Sequence, residues 1–249
     1  MSYNPYSLNG KTILITGASS GIGRATAIEC SKLGAQVVIT GRNKERLQQT
    51  YEMLEGTGHQ QFIADLTDEE QLKNMVAQLP RLDGVVNNAG ISIASPISFI
   101  KESNLQKVFS TNTFTPMLLV RHILKNKKLN NNASLVFISS TAAFMSNYGN
   151  AMYGASKAAL QAYMRYAGRE LAPKGIRANS IHPAMVETPL ITGGAFSDED
   201  LQKDMQKYPL GHYGKPEEIA WAIIYLLSDA SAWVTGHSLV IDGGVSNLK

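Results

Sequence analysis

The chain has a single cysteine, Cys30, among its 249 residues. One cysteine cannot close an intramolecular disulfide or supply a multi-cysteine metal site, so both are excluded. Charged residues make up only 17%, and the formal net charge is +3, which indicates no nucleic-acid partner. The longest strongly apolar run, residues 219–227, is too short to span a bilayer, and residues 1–11 lack the apolar core of a signal peptide. We therefore expect a soluble, cytoplasmic protein.

Short apolar segments, several of them rich in β-branched residues, alternate with helical patterns along the whole chain. Strands and helices that alternate in this rhythm form a parallel sheet covered by helices on both faces. No linker, repeat or low-complexity segment divides the chain, so we predict one domain over residues 1–249. The expected fold is α/β, a Rossmann-type, doubly wound, seven-stranded parallel sheet. The predicted strands are 13–15, 36–40, 61–64, 83–87, 134–139, 176–181 and 238–241.

Three stretches between these strands bear on the site. Residues 102–128 predict a long helix that is interrupted at 113–116, and residues 151–171 predict an uninterrupted one. Residues 183–215 are irregular except for a short amphipathic piece at 198–207. We expect residues 187–215 to form the substrate loop, and 189–208 to close over bound ligands, because Gly193 and Gly194 supply a hinge in a long connection.

A glycine-rich turn follows the first predicted strand. Gly17, Gly21 and Gly23 separate that strand from a helix, and this order forms a site for a pyrophosphate at the helix N-terminus. Glycine is needed there because a Cβ would block close approach of the phosphates or of helix to strand. The turn is not a P-loop, which requires Gly-Lys-Ser/Thr where Arg24 and Ala25 follow Gly23.

Tyr153 and Lys157 lie four residues apart on the predicted helix 151–171, so their side chains share one face. An ammonium beside a phenol favours the phenolate and is expected to lower a pKa that is ordinarily about 10. Such a tyrosine is a usable general acid or base near neutral pH. Ser140 follows the fifth predicted strand and is expected to reach the same place and hydrogen-bond a substrate oxygen. An isolated tyrosine–lysine pair with this spacing is more often structural. The catalytic interpretation therefore depends on the other motifs that accompany the pair.

Taken together, these features resemble the short-chain dehydrogenase/reductase family, of the compact type, over essentially the whole chain. The resemblance implies interconversion of a carbonyl and a secondary alcohol by hydride transfer with a nicotinamide cofactor. One departure is Ala184, where the family usually has glycine after the proline. The matching elements are TGASSGIG (16–23), Asp65, NNAG (87–90), Asn112, Ser140, YGASK (153–157), Pro183, Thr188, VTG (234–236) and DGG (242–244).

The resemblance also implies a role for each matching residue. Tyr153 would donate the proton in reduction, Ser140 would orient the substrate oxygen, and Lys157 would lower the pKa of Tyr153 and hold the nicotinamide ribose. Asn112 would hold a water that links Lys157 to solvent, and no metal is expected. The implied cofactor-binding residues are Gly17, Ser19, Ser20, Gly21, Ile22, Gly23, Arg42, Asp65 and Leu66 (at the adenine), Asn88, Ala89, Gly90, Tyr153, Lys157, Pro183, Val186 and Thr188.

The end of the second strand indicates which dinucleotide is bound. NAD-binding sheets of this kind place an acidic residue there for the ribose 2′-hydroxyl, whereas this chain has Gly41. Arg42 follows, and its guanidinium suits a 2′-phosphate. Arg42 also precedes a helix capped by Asn43, where a cation is unfavourable by about 0.3–1 kcal/mol unless an anion is near. We therefore predict NADP(H) rather than NAD(H).

The general pattern is closest to reductases of 3-oxoacyl groups on acyl carrier protein. Lys174 matches a basic position that meets the carrier, but the second such position is Asn131, with Lys127 and Lys128 nearby. A reductase or dehydrogenase of sugars, polyols or other small carbonyls is the alternative. A cofactor-sensing scaffold without catalysis is a third reading, disfavoured by the intact site residues. The resemblance further implies a homotetramer or homodimer, and the substrate pocket is expected at 92–95, 141–148 and 185–213.

Three further features have ordinary structural interpretations. His182 is expected to be a structural residue at a strand end, because Tyr153 already supplies the acid or base. His122 is expected on a helix surface. The basic residues between Lys125 and Lys128 lie near a helix C-terminus, where cations are favourable, so they are interpreted as a solvated helix cap.

Overall fold

One parallel sheet organises the structure, a computed structural model that describes residues 3–189 and 198–247. The strand order is β3-β2-β1-β4-β5-β6-β7, and every neighbouring pair is parallel. All seven predicted strands are present, and the α/β fold class is confirmed. The strands are β1 Thr12–Thr16, β2 Gln36–Gly41, β3 Gln60–Ile63, β4 Leu82–Asn87, β5 Leu129–Ile138, β6 Arg177–Pro183 and β7 Ser238–Ile241.

Helices cover both faces of this sheet, and several of their ends follow from the sequence. The side chain of Asn43 accepts a hydrogen bond from the Arg46 amide and caps α2, as predicted. Asp68 caps α3 in the same way. The helices are α1 Gly21–Lys32, α2 Lys44–Glu52, α3 Glu69–Gln78, α4 Glu102–Phe109, α5 Thr115–Lys125, α6 Ala151–Glu170, α7 Asp198–Met205 and α8 Pro216–Leu227.

The core lies in two layers, one on each face of the sheet. Leu14 of β1 belongs to the layer formed with α3, α5 and α6. Its neighbours Ile13 and Ile15 belong to the layer formed with α1 and α8. Successive strand side chains point to opposite faces, so both faces of β1 are buried and its sequence is apolar throughout.

Two regions differ from the sequence-based prediction by more than a shift of one or two residues at an end. Strand β5 begins at Leu129, five residues before the predicted start at 134. The prediction missed these residues because the polar stretch Asn130–Asn132 interrupts the apolar pattern, and Asn132 adopts a positive φ of 62°. The predicted break between 102 and 128 exists, but it is a π-helical turn at Ser110–Phe114. Pro116 lies in the first turn of α5, where its missing N–H has little cost.

Two of the structural interpretations need correction. His122 is buried, with only 5% of its surface exposed, because the face of α5 that carries it packs inward. Lys128 does not cap its own helix. Its Nζ donates to the carbonyls of Ala77 and Leu79, at 2.9 and 2.6 Å, and so caps the C-terminal end of α3.

The chain that follows β6 returns to the sheet edge. Val186 bridges to Gly214, and the Met185 amide donates to the Tyr208 hydroxyl at 3.2 Å. Helix α7 lies in the predicted amphipathic piece, whereas the predicted hinge at Gly193 and Gly194 falls outside the described residues. Among residues 3–189 and 198–247, no helix has the length and apolar character needed to cross a membrane.

Candidate active site

The carboxyl ends of the parallel strands open into one cleft of about 460 Å³. Open α/β sheets bind ligands at this edge, and nearly all of the predicted site residues meet here. Of the predicted site residues, Gly23 and Asn112 do not line the cleft. The predicted residues that line the cleft are Gly17, Ser19, Ser20, Gly21, Ile22, Arg42, Asp65, Leu66, Asn88, Ala89, Gly90, Ser140, Tyr153, Lys157, Pro183, Val186 and Thr188.

The glycine-rich turn is as tightly packed as its sequence predicts. Gly17 has a φ of 66°, and a Cβ there would lie 2.9 Å from the Cα of Ala89. A Cβ on Gly23 would clash with the carbonyl oxygen of Gly17. Helix α1 starts at Gly21 without a side-chain cap and without an acidic residue in its first turn. The positive end of the α1 dipole can therefore bind an anion in the cleft.

Asn88 ties the end of β4 to the glycine-rich turn. Its Nδ2 donates to the carbonyls of Thr16 and Gly17, at 2.9 and 3.2 Å. In return, the Thr16 hydroxyl accepts from the amides of Asn88 and Ala89, both at 3.0 Å. These four hydrogen bonds fix the floor of the cleft between β1 and β4.

Arg24 braces the same turn from the other side. Its guanidinium donates to the Ser19 carbonyl at 2.7 Å and to the Thr50 hydroxyl at 3.0 Å, while that hydroxyl donates to the Ala18 carbonyl at 2.9 Å. Arg24 and Thr50 therefore hold α2 against the turn. The contact between these two residues has no signal in the sequence, because they are 26 residues apart and nothing local links them.

The end of the cleft at α2 carries an exposed cation. The Arg42 side chain is 60% exposed, and its Nη1 lies 3.9 Å from the Asp65 carboxylate. An exposed pair at this separation is weak, so Arg42 stays available to a stronger anion. Gly41 leaves no carboxylate at the end of β2 to repel one.

The other end of the cleft brings Ser140, Tyr153 and Lys157 together. Ser140 follows β5, and its hydroxyl accepts from the Ala142 amide at 3.1 Å and donates to the Pro183 carbonyl at 3.5 Å. The same hydroxyl lies beside the Tyr153 phenol, whose pKa it lowers. Lys157 is 3% exposed. Its Nζ donates to the Ile138 carbonyl at 2.7 Å and lies 5.7 Å from the centre of the Tyr153 ring.

Burial controls the acid–base properties of this cluster. It raises the pKa of Tyr153, and the hydrogen bond from Ser140 lowers that pKa in part. Burial also lowers the pKa of Lys157 to about 8. The expected net lowering of the Tyr153 pKa is therefore reversed, because desolvation disfavours the phenolate and the ammonium alike.

Asn112 occupies the π-helical turn and is fully buried. Its Oδ1 accepts from the Ile91 amide at 2.8 Å, and its Nδ2 donates to the Ile91 carbonyl and the Ser156 hydroxyl. A Cβ on Gly90 would lie 3.3 Å from both Asn112 Oδ1 and Lys157 Nζ. A side chain at position 90 would therefore crowd both polar groups, and glycine lets Asn112 and Lys157 approach the backbone here.

Three observations fit a nicotinamide dinucleotide to this cleft. Side chains in place of Gly17 and Gly90 would crowd the backbone that surrounds the cleft. The N-terminus of α1 has no side-chain cap, and the Arg42 guanidinium lies at the α2 end of the cleft. Together they match a pyrophosphate, a sugar–ring system and a further phosphate in a row.

Comparisons with known proteins agree with this geometry. The family described as enoyl-(acyl carrier protein) reductase matches residues 17–246. The 3-oxoacyl-[acyl-carrier-protein] reductase of Rickettsia felis is 34% identical over 238 residues, which cover 96% of this chain and 98% of that protein. The NADP-dependent (R)-specific alcohol dehydrogenase of Lentilactobacillus kefiri is 34% identical over 249 residues, covering 95% and 97%.

A solved structure from Beutenbergia cavernae, provisionally described as an NAD(P)-dependent gluconate 5-dehydrogenase with NADP bound at low occupancy, has the same architecture. Its TM-score is 0.89 at 30% identity, and the match covers 98% of this chain and 100% of that one. The family match covers most of the chain, and the relatives match it over nearly their full length. This chain belongs to the short-chain dehydrogenase/reductase family of oxidoreductases.

Proposed function

We propose that this protein reduces a carbonyl group to a secondary alcohol with NADPH, in a single cofactor-binding and catalytic domain. The observation that carries the proposal is the meeting of Ser140, Tyr153 and the buried Lys157 in the same cleft as the glycine cradle, with Lys157 Nζ 5.7 Å from the centre of the Tyr153 ring. The continuous seven-stranded sheet supports the single domain.

Each polar group of the cluster has one task in this reaction. The cofactor, when bound, supplies a hydride to the carbonyl carbon. Ser140 donates a hydrogen bond to the carbonyl oxygen, and Tyr153 transfers its phenolic proton to that oxygen as charge develops on it. The Lys157 ammonium stabilises the phenolate that remains. Asn112 would hold a water that links Lys157 to solvent, and the phenolate would regain its proton from solvent along that path.

The binding residues follow from the same geometry. The Gly17–Gly23 turn and the N-terminus of α1 would hold the pyrophosphate, and Asp65 and Leu66 would hold the adenine. Asn88, Ala89 and Gly90 would face the adenosine side, and the nicotinamide would lie toward Tyr153, Lys157 and Pro183 with Val186 and Thr188 beside it.

A 3-oxoacyl thioester is the favoured substrate. The segment after Ser140 presents apolar side chains to solvent: Phe144 is half-exposed and Tyr148 is 93% exposed, with Ile97 across the second cleft that they line. Exposed apolar side chains beside a polar reaction centre suit an acyl chain. The relative that reduces 3-oxoacyl groups supports the same class, whereas the alcohol and gluconate dehydrogenases support a small carbonyl or sugar as the alternative.

An acyl carrier protein is the partner that this substrate would bring. Lys174 is exposed and meets the requirement for a cation on the docking face. The Lys128 ammonium is not available to a carrier, because it already donates to carbonyls at the end of α3. Lys127, which is exposed, is therefore the candidate for the second cation near Asn131. Cytoplasmic location is part of the same proposal, and the single buried Cys30 is consistent with a reducing compartment.

Initial rates of NADPH oxidation test the function. A 3-oxoacyl thioester, a keto sugar and a simple ketone are compared at equal concentration, and the thioester is expected to give the highest kcat/KM. A higher value for the keto sugar would select the alternative. Tight NADPH binding without turnover of any carbonyl would select the non-catalytic scaffold.

The first prediction concerns cofactor preference. Wild type is expected to favour NADPH over NADH, and Arg42→Ala to lose most of that preference. A hydrogen bond to a charged group is worth about 1.5–3 kcal/mol, so kcat/KM for NADPH should fall roughly ten- to a hundredfold while that for NADH changes little. Arg121→Ala, an exposed arginine on α5, is the matched control. A wild-type preference for NADH would contradict the assignment of Arg42.

The second prediction concerns assembly as a homotetramer. Apolar side chains are exposed on three elements: Phe114 and Leu118 around the start of α5, Tyr166 on α6, and Trp233, 99% exposed, before β7. Several separate apolar surfaces on one chain favour more than one subunit contact. Light scattering at micromolar concentration is expected to give four times the mass of one chain, and Trp233→Glu a smaller species. A wild-type monomer would contradict the proposal.

A further inference from the structure

His182 is a fully buried imidazole that the proposed reaction does not use. It lies in β6, one residue before Pro183 of the cleft wall, and none of its surface is exposed. One ring nitrogen, Nδ1, lies 3.1 Å from the carbonyl oxygen of Ser140. The other, Nε2, lies 2.8 Å from the Ser180 hydroxyl.

The contacts continue beyond Ser180 as a chain of polar side chains. The hydroxyls of Ser180 and Ser238 are 3.1 Å apart. The side-chain amide of Gln161 donates to Ser238 at 3.0 Å. Gln161 lies one turn after Lys157 on α6, so these contacts run from Ser140 to the helix that carries Tyr153 and Lys157.

The donors and acceptors in this series of side chains allow only one direction for its hydrogen bonds. A carbonyl oxygen only accepts, so Nδ1 of His182 carries the proton and Nε2 accepts from Ser180. Ser180 then accepts from Ser238, which accepts from Gln161. Burial lowers the pKa of His182, and the cations Lys157 and Arg165 of α6 lower it further, whereas the Ser140 carbonyl opposes the shift. The neutral imidazole with its proton on Nδ1 follows.

We propose that His182 is the positioning residue for Ser140. Through Ser180, Ser238 and Gln161 it ties the carbonyl of Ser140 to α6, the helix that carries Tyr153, and so sets the distance between the Ser140 hydroxyl and the phenol. Its ring also packs against Phe144, with ring centres 5.8 Å apart, and thereby holds the start of the substrate-facing segment.

This inference rests on the proposed function, since it assigns His182 to the support of Ser140 in that reaction. His182→Phe keeps a flat ring and removes both nitrogens. Displacement of a reacting group by about 1 Å costs up to about a hundredfold in rate, so kcat should fall roughly ten- to a hundredfold. The KM for NADPH should stay within about twofold, because Ser140 does not bind the cofactor.

Alcohol oxidation supplies a readout that a purely structural role would not move. Oxidation needs Tyr153 as the phenolate, and the hydrogen bond from Ser140 lowers the pKa of Tyr153. In His182→Phe the acid limb of kcat for oxidation should therefore move to higher pH. His182→Asn retains a donor close to the Nδ1 position and should recover most of kcat and of the pH profile.

The outcomes separate this inference from the proposed function. If Tyr153→Phe is inactive but His182→Phe keeps wild-type kcat and an unmoved acid limb, the role of His182 is wrong and the function stands. A loss of kcat matched by a loss of folded protein in circular dichroism, with an unmoved limb, also overturns it. If Tyr153→Phe keeps wild-type turnover, the proposed function itself fails. Should His182→Phe not fold, His182→Met removes the same nitrogens and is scored by the same criteria.

Discussion

Tyr153→Phe is expected to lower kcat by at least the roughly 10²–10⁴-fold that general acid–base catalysis contributes. The substitution keeps the ring and removes only the hydroxyl that contacts Ser140. The substrate oxygen then keeps the hydrogen bond from Ser140 but loses the phenol that would protonate it as charge develops. Stopped-flow or steady-state NADPH oxidation at neutral pH measures the loss, and NADPH affinity by fluorescence titration should change little.

Tyr163→Phe is the matched control, since Tyr163 lies on the same helix and is half-buried against Phe137. It should retain wild-type kcat. The pH profile adds a second check: reduction requires the neutral phenol, and burial raises the pKa of Tyr153. Reduction by wild type should therefore hold its rate through neutral pH and decline only in alkaline solution. A Tyr153→Phe variant with more than a tenth of wild-type turnover would remove Tyr153 from the mechanism.

Local patterns predicted much of this molecule. Strand β1 and the turn at Gly17 are visible in the sequence because a buried parallel strand is apolar throughout and because only glycine permits the close contact with Ala89. The pairing of Tyr153 with Lys157 follows from helical spacing alone. Their meeting with Ser140 follows from the rule that strand carboxyl ends share one edge.

What the sequence could not supply depends on contacts between distant segments. Nothing near His122 reveals that the face of α5 that carries it packs inward, and nothing near Lys128 reveals the open carbonyls of α3. The pKa of Tyr153 is raised rather than lowered for the same reason, since burial of the phenol is a property of the assembled cleft. The link between Gln161 and Ser140 passes through two strands, so no spacing rule applies to it.

Lys157→Met is expected to abolish most of the activity while it stabilises the fold. The ammonium is the group that stabilises the Tyr153 phenolate, and loss of one such preorganised electrostatic contact costs about 10²–10³-fold in kcat. Its burial is also unfavourable, because desolvation lowers the pKa of Lys157 to about 8. A methionine of similar length removes the buried charge, so the free energy of unfolding should rise at pH 7.

The pH dependence of this stabilisation identifies its cause. An unfolded lysine has a pKa of about 10.4. Between pH 8 and that value the unfolded chain keeps a proton that the folded chain has released, so wild-type stability rises with pH across this window. The advantage of Lys157→Met, up to about 3 kcal/mol at pH 7, should therefore shrink between pH 8 and 10. Urea denaturation at fixed protein concentration measures it.

Lys107→Met is the control for both readouts, because Lys107 is an exposed lysine on α4, away from the Ser140–Tyr153–Lys157 cluster. It should keep wild-type kcat and the wild-type slope of stability against pH. Two results would contradict the role of Lys157. Retained turnover in Lys157→Met would separate the ammonium from catalysis. A stability difference from wild type that stays constant from pH 7 to 10 would show that the lysine does not titrate in its buried site.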